Sequence, residues 1–424
     1  MEQPVKIGLI GFGTVGCGVV AVLNDNKDII SKKAGCVIEI AKIADPDLER
    51  KRPVQVDKKL LTKNAEDIIA DPSIQIVVEA MGGTDPALKY ILSAIEAGKH
   101  VVTSNKEVIA KHLSQITAAA KNKGVKVLFE ASVGGAIPII AALRRSFSAN
   151  KISEIYGIVN GTTNYILSKM TNEKREFEDV LKEAREKGFA EANPKNDIEG
   201  YDASYKAAIL AAVAYGADVK WEDIRFEGIA SISLEDIKYA GEIGYVIKLL
   251  AIAKNEGGVM DIRVHPTLIS ANHPLAAVND EYNAIFVKGN ALGSSMFYGE
   301  GAGARPTASS IIADIIEICD TGAKAYYPAL NKIKIKSLDE GSTRYYIRLK
   351  AKDTPGVLAS ISGIFGQKNV SIREVLQKET VGDIATVVII IHAVNERDFR
   401  QAMELISKLP HVTKVCNTIR VGME

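Results

Sequence analysis

The chain has 424 residues, 47% of them apolar, with 53 Lys and Arg against 52 Asp and Glu. That composition fits a globular protein long enough for two or three domains and excludes a disordered chain or a coiled coil. A formal charge of +1 gives no global field to draw nucleic acid or an anionic membrane, so small molecules and further copies of the chain are the expected partners.

"VKIGLI" reads as a strand that enters the glycine turn "GFGTVG", with Gly11, Gly13 and Gly16 in G-x-G-x-x-G spacing before a helical run. Glycine permits the tight turn and the close approach of a pyrophosphate. The backbone N–H groups of Phe12, Thr14 and Val15, with the helix dipole, favour its charge. The second strand, "VIEIAKIAD", ends at Asp45, where a carboxylate is placed to hold an adenosine ribose; Arg50, Lys51 and Arg52 follow and suit a 2′-phosphate instead. NAD and NADP both remain open, with the basic cluster tilting toward NADP.

"IQIVVEAMGG", "HVVTSN" and "VKVLFEAS" are further strands, alternating with helices such as "DPALKYILSAIEAGK" and "KEVIAKHLSQITAAAKNKG". Strand and helix in alternation predict right-handed crossovers and a doubly wound parallel sheet of the Rossmann type over residues 1–133. Thr103, Ser104, Asn105 and Lys106 fall at the carboxyl end of a strand. Ligands of open α/β sheets bind there, so Lys106 is expected near the nicotinamide half of a dinucleotide.

Residues 134–325 read as a mixed α+β domain for substrate and dimerisation, except that the helix after "GEGAGARP", near 305–320, is expected to return to the first domain. Within this region "NDIEGYDASYKAAILAAVAYGAD" sets Lys206 at the mouth of a helix that is apolar around its whole circumference. A lysine drawn out of water there becomes a usable proton donor or acceptor near neutrality. An Asp202 to Lys206 helix pair that merely snorkels to solvent is the plainer alternative. "KIKSLDEGST" reads as a charged linker, and residues 344–424 give the βαββαβ order of a ferredoxin-like sandwich.

Cys17, Cys36, Cys319 and Cys416 show no CxxC spacing, and the six histidines form no HExxH. A thiol-bound metal and zinc hydrolysis are therefore excluded as expectations, and a reducing cytoplasmic setting fits. No apolar run reaches ~18 residues, so no membrane span is expected.

Six segments occur in a telling order: "GFGTVG", "NKEV", "FEASVGGAIPII", "NGTTNYIL", "GFAEANPKNDIEGYDASYK" and "GEGAGARPTAS". Together they resemble the signature set of homoserine dehydrogenases, and "DTPGVLASISGIF" resembles an ACT domain, an amino-acid-sensing module. The resemblance implies reversible NAD(P)H-dependent reduction of L-aspartate 4-semialdehyde to L-homoserine. It assigns Lys206 as the proton-exchanging lysine and Lys106 as a second lysine near the same substrate oxygen. Glu191 and Asp202, with Asp197 in support, would bind the substrate ammonium, beside Tyr201, Gly161 and Thr162. Gly188 and Gly303 match cofactor-contacting glycines, whereas Arg305 reads as a helix-start residue with a surface partner.

The same resemblance places a structural sodium ion on the Glu130 side chain and the carbonyls of Val133, Gly135 and Ile137. It also implies L-threonine between paired ACT domains near Asp353, Thr354, Pro355, Gly356 and Asn369, in a homodimer or homotetramer. Two other readings stand beside it. One is a sensor that kept the fold and lost catalysis; the other is a dehydrogenase of a related amino-acid aldehyde or hydroxy acid.

Overall fold

The computed structural model describes residues 4–190, 193–320 and 330–423. Contacts divide the chain into two compact units, Met1–Ile155 with Tyr205–Asp223 and Asn283–Ile333, and Tyr156–Ser204 with Ile224–Tyr282 and Lys334–Glu424.

The first unit opens with β1 (Val5–Ile10), α1 (Thr14–Asp25), α2 (Lys27–Ala34), β2 (Ile38–Ala44), β3 (Leu61–Thr62), α3 (Glu66–Ile69) and β4 (Ile76–Glu79). It continues with α4 (Asp85–Glu96), β5 (His100–Thr103), α5 (Lys106–Lys123) and β6 (Val127–Leu128). The six strands are parallel in the order β3-β2-β1-β4-β5-β6, the doubly wound order whose switch point lies between β1 and β4. β4 is buried at every position. A strand covered on both faces has no polar side to show, which is why its sequence does not alternate.

Onward, the elements are α6 (Ile139–Ala141), β7 (Ile152–Ile158), α7 (Gly161–Glu173), α8 (Phe177–Glu186), α9 (Lys195–Ile198), α10 (Tyr201–Tyr215) and β8 (Arg225–Phe226). Then come α11 (Leu234–Glu242), β9 (Tyr245–Glu256), β10 (Val259–Ser270), β11 (Tyr282–Gly289), β12 (Gly293–Glu300) and α12 (Ala304–Cys319). The helix expected to return does so: Ile311, Ile312 and Ile315 of α12 share one core with Val19 and Val20 of α1 and with Ile7 and Leu9 of β1. Gly18 makes the approach possible, since a Cβ there would lie 2.1 Å from the Ala304 carbonyl oxygen.

The C-terminal part runs β13 (Lys334–Ile335), β14 (Ser342–Lys352), α13 (Val357–Gln367), β15 (Ile372–Val381), β16 (Ile384–Ile391), β17 (Val394–Asn395), α14 (Glu396–Ser407) and β18 (Val412–Val421). Strands β18-β14-β16-β15 form an antiparallel sheet, the ferredoxin-like sandwich, with Ile347, Leu349, Phe365, Phe399 and Ile406 in its core.

Two features differ from the sequence reading. The stretch taken for a linker is pinned down: β13 pairs with β10, and Lys336 joins Glu256 at 2.5 Å. The sandwich is also no pendant module. β18 pairs in parallel with β10 through Thr267↔Arg420 and Leu268↔Val421, and the fully buried Asp236 of α11 accepts from Arg348 Nε of β14 at 2.6 Å and Asn417 of β18 at 3.0 Å. Charged, turn-rich composition marks a segment that is solvated on one side, and it does not reveal which strand the other side meets. Among the described residues no helix is long and apolar enough to cross a membrane.

Candidate active site

At the glycine turn, Gly11 has φ +100, and a Cβ on it would lie 2.6 Å from the Ala80 oxygen. A Cβ on Gly16 would lie 2.2 Å from the Gly11 oxygen, whereas nothing stands within 4 Å of one on Gly13. No side chain caps α1 at Gly13. A helix start without a side-chain cap, with open space over its glycine, is a cradle for a pyrophosphate, so the turn fits a dinucleotide. Thr14 is exposed, Val15 half-buried and Phe12 buried.

Asp45 and Arg52 both meet the glycine turn. The Asp45 carboxylate accepts the Phe12 N–H at 2.8 Å and the Asp47 N–H at 2.9 Å, and meets Arg52 at 3.1 Å. Arg52 in turn donates to the Phe12 carbonyl at 2.8 Å and to the carbonyls of Asp47, Leu48 and Arg50, with its guanidinium over the Phe12 ring. Both side chains latch the glycine turn to the loop after β2. Arg50 and Lys51, by contrast, are exposed.

At the carboxyl ends of β4 and β5, Thr103 donates to Glu79 and accepts the Asn105 N–H at 2.9 Å. Asn105 caps α5 by accepting from the Val108 N–H at 3.1 Å, and its amide donates to the Gly83 carbonyl at 2.8 Å. Lys106 is therefore the first residue of a well-anchored helix, with Ser104 N–H against the Glu79 carbonyl at 3.4 Å. Lys206 lies in α10, where it is 7% exposed and every residue from Asp202 to Val213 is buried.

In the second unit Asn160 caps α7 by accepting from the Thr163 N–H at 2.9 Å. Its amide then donates to Asp197 at 2.7 Å and to Asp202 at 2.9 Å, so one side chain holds two carboxylates together. Gly161 begins α7 under the Glu281 carbonyl, 2.6 Å from where a Cβ would sit, and the Thr162 hydroxyl donates to the Phe189 carbonyl at 2.6 Å. Gly188, at φ +77, closes α8. Tyr201 packs on Phe226 with ring centroids 4.7 Å apart. Glu191 lies outside the described residues. Gly303, at φ +123, precedes α12 in the first unit, and Arg305 meets Asp25 at the surface. Sequence reasoning passed over Asn160 and Glu79. An Asn before a helix signals a cap and no more, whereas a lone Glu ending the apolar strand "IVVE" was a usable signal.

Three family models match this chain: that described as homoserine dehydrogenase over residues 138–316, its NAD-binding domain over 11–130, and the ACT domain over 345–411. A homoserine dehydrogenase of Synechocystis is 44% identical, over 98% of this chain and 99% of its own length. The chain belongs to the homoserine dehydrogenase family. The crystal structure of a homoserine dehydrogenase from Thiobacillus denitrificans superposes with a TM-score of 0.93 at 40% identity, covering 99% of each chain. A hyperthermophilic archaeal homoserine dehydrogenase mutant in complex with NADPH is 28% identical with a TM-score of 0.65, over 76% of this chain and all of its own. Membership makes the chain an NAD(P)-dependent oxidoreductase with homoserine dehydrogenase activity.

Within this homoserine dehydrogenase frame, the oxygens named for a cation each take part in the hydrogen bonding of the Glu130 loop. Both Glu130 carboxylate oxygens accept backbone N–H groups, Ile140 at 2.8 Å and Ala141 at 2.6 Å, so its side chain closes the start of α6. The Gly135 carbonyl accepts the Ser310 hydroxyl at 2.6 Å, and the Ile137 carbonyl accepts the Ile139 N–H at 2.8 Å. Each of these oxygens keeps a second lone pair, so the Glu130 carboxylate and the carbonyls of Val133, Gly135 and Ile137 make an all-oxygen set of the kind a hard cation takes. Among the described residues no group of three or more His, Cys, Asp or Glu is arranged to hold a metal.

In the ACT region a cavity of about 320 Å³ is lined by Asp353, Thr354, Pro355, Gly356, Val357 and Gln377, among others. Gly356, at φ +92, starts α13, and Asp353 accepts from Gln377 at 2.8 Å and Thr380 at 3.2 Å. Asn369 is not on that lining. It sits at φ +55 just past α13, where its role is to end the helix.

Proposed function

We propose that the chain interconverts L-homoserine and L-aspartate 4-semialdehyde, with Lys206 and Lys106 serving the reacting oxygen and Asp197, Asp202 and Glu191 the ammonium group. Two carboxylates gathered on the Asn160 amide carry this reading, because paired carboxylates favour a cation between them. The nicotinamide, when held by the glycine turn, takes or gives the hydride. In oxidation, Lys206 receives the hydroxyl proton as the C–H hydride leaves. In reduction, it returns that proton to the oxygen, and Lys106 offsets the developing negative charge. Gly161 and Thr162 border the substrate.

The test is nicotinamide absorbance with L-homoserine against 4-hydroxybutanoate, which keeps the alcohol and lacks the ammonium. Reduction with L-homoserine and almost none with the analogue is expected. Equal rates would sink the ammonium assignment, and no reduction with either would favour the non-catalytic sensor.

For the cofactor we favour NADP(H). Asp45 is engaged by the Phe12 and Asp47 N–H groups and by Arg52, and Arg52 is engaged by the loop, which leaves Arg50 with Lys51 to meet a 2′-phosphate. The NADPH complex of the archaeal relative agrees with that preference. Replacing Arg50 by alanine should raise KM for NADPH about tenfold, the worth of one charge-assisted contact, and leave KM for NADH unchanged. Equal changes for both cofactors would remove Arg50 from the phosphate site.

Feedback by L-threonine is proposed at the ACT cavity, with the effector ammonium toward Asp353 and its carboxylate toward the start of α13. Deleting residues 344–424 is a poor test, because it would strip β18 from β10 and leave Asp236 without Arg348. Asp353→Ala is cleaner, with the threonine inhibition curve expected to move at least tenfold, as loss of a charged contact demands. An unmoved curve would place the effector elsewhere. Self-association into a dimer or tetramer belongs to the same proposal and is read by light scattering. Sodium on the Glu130 carboxylate and the Val133, Gly135 and Ile137 carbonyls would be structural.

A further inference from the structure

Glu79 ends β4 with no exposed surface, and nothing in the reaction uses it. Its carboxylate accepts the Met81 N–H at 2.7 Å on one oxygen and the Thr103 hydroxyl on the other, and it also meets the Asn105 amide. Those partners are the ones that set Lys106: Thr103 receives the Asn105 N–H, and Asn105 caps α5 and ties it to Gly83. The helix itself gives Lys106 little further guidance, because His112 breaks its regular dihedrals at φ −131 and separates the first six residues from the rest. A helix start isolated by such a break is held by its cap.

We propose that Glu79 is a positioning residue whose ionised carboxylate, acting through Thr103 and Asn105, fixes the α5 turn that carries Lys106. The proposal rests on the assignment of Lys106 to the reacting oxygen. The hydrogen count explains why charge matters. Ionised Glu79 is a pure acceptor and satisfies three donors, while the Thr103 hydroxyl stays free to accept from Asn105. A protonated Glu79 must donate, yet every partner it meets is a donor; if Thr103 turns to accept, its own hydrogen loses its partner.

Titration in the working range follows from burial, which pushes Glu79 up to about 7 against the pull of Thr103, Met81 and Asn105. Across the sheet it meets Ile10 and Thr103, neither titratable in this range, and α4 turns Ala87, Ile91, Ala94 and Ile95 inward. The charged groups on the remaining neighbour, the first turn of α5, are Lys106 and Glu107.

The experiment is the pH profile of kcat for aldehyde reduction, the direction in which Lys206 works protonated and gives no acid limb of its own, for wild type and Glu79→Gln. Glutamine has the size of the protonated acid and cannot ionise. Wild type should lose activity as pH falls through about 7. The variant should run about tenfold below wild type near pH 8, with KM for cofactor little changed and that acid limb absent. Its thermal behaviour should go the other way. A carboxyl whose folded pKa is raised contributes stability that is fully present below its unfolded value and is lost as pH rises through the folded one. An uncharged amide escapes that loss, so Glu79→Gln should melt higher than wild type near pH 8 and show little gain near pH 5.

An acid limb that persists in Glu79→Gln overturns the proposal, as does a wild type without one. If the variant does not fold, infrared spectra of wild type decide: a buried-acid carbonyl band that fades with the same midpoint as kcat rises supports the assignment, and its absence removes it. Lys106→Met separates the two levels. Normal turnover there ends the Lys106 assignment itself, whereas a dead Lys106→Met beside an ordinary Glu79→Gln ends only the role of Glu79.

Discussion

Lys206→Ala is expected to lose about a thousandfold in kcat, the combined worth of a positioned proton donor and a charge facing the developing oxyanion. Cofactor affinity, measured by nicotinamide fluorescence, should stay within a few fold, because the glycine turn and the loop after β2 are untouched. The reason for so large a loss lies in α10. With every residue from Asp202 to Val213 buried, water cannot readily replace a proton donor taken from the middle of that helix. Turnover within tenfold of wild type would remove Lys206 from the chemistry. Lys206→Arg keeps the charge but holds its protons too tightly to pass one to and from the substrate, and should stay nearly as inactive as alanine.

The second large effect is on stability. Asp236→Ala would leave the guanidinium of Arg348, whose side chain is 5% exposed, in the interior without the carboxylate that meets it through Nε at 2.6 Å and Nη2 at 3.2 Å. Removing one partner of a buried ion pair costs about 3–5 kcal/mol, which for a unit of this size lowers Tm by roughly 10 °C. The same carboxylate closes a capping box with Ser233 at the start of α11, so that helix should fray as well. Differential scanning calorimetry reads the outcome, and a drop of under about 2 °C would mean that the Glu235 carboxylate and Ser233 hydroxyl, which Arg348 also meets, suffice to hold it.

The pH dependence has a definite sign. Burial alone would raise the Asp236 pKa, but the Arg348 and Asn417 hydrogen bonds outweigh it and hold the carboxyl below the usual aspartate value. Its stabilisation is therefore present above that ordinary value and is lost as pH falls through the depressed one. The variant and wild type should converge in strongly acid solution.

The parts of this molecule that were legible beforehand are those governed by local period and local turn chemistry. The Rossmann sheet followed from apolar runs alternating with helices, and the cofactor cradle from three glycines directly after a strand. The βαββαβ order followed from strand and helix signals alone. What escaped were bonds between residues far apart in sequence. Asp45 is 33 residues from the Phe12 N–H it accepts, and Asn160 is 37 and 42 residues from the carboxylates it gathers. No window of sequence holds both partners, so neither the Phe12 partner of Asp45 nor the carboxylates on Asn160 could be read from it.

The pairing of β10 with β18 bears on how the second unit comes into being during synthesis. Thr267 must find Arg420, so β10 leaves the ribosome long before the strand that completes its hydrogen bonding exists. At ~5–20 residues per second the intervening chain takes roughly 8–30 s to make. Throughout that interval β10 carries an open edge at its Thr267 end, the kind of template on which other chains aggregate. The first unit's parallel sheet meets no such delay, since all six of its strands lie before residue 130. Nascent chains stalled between β10 and β18 should therefore be the species that chaperones hold.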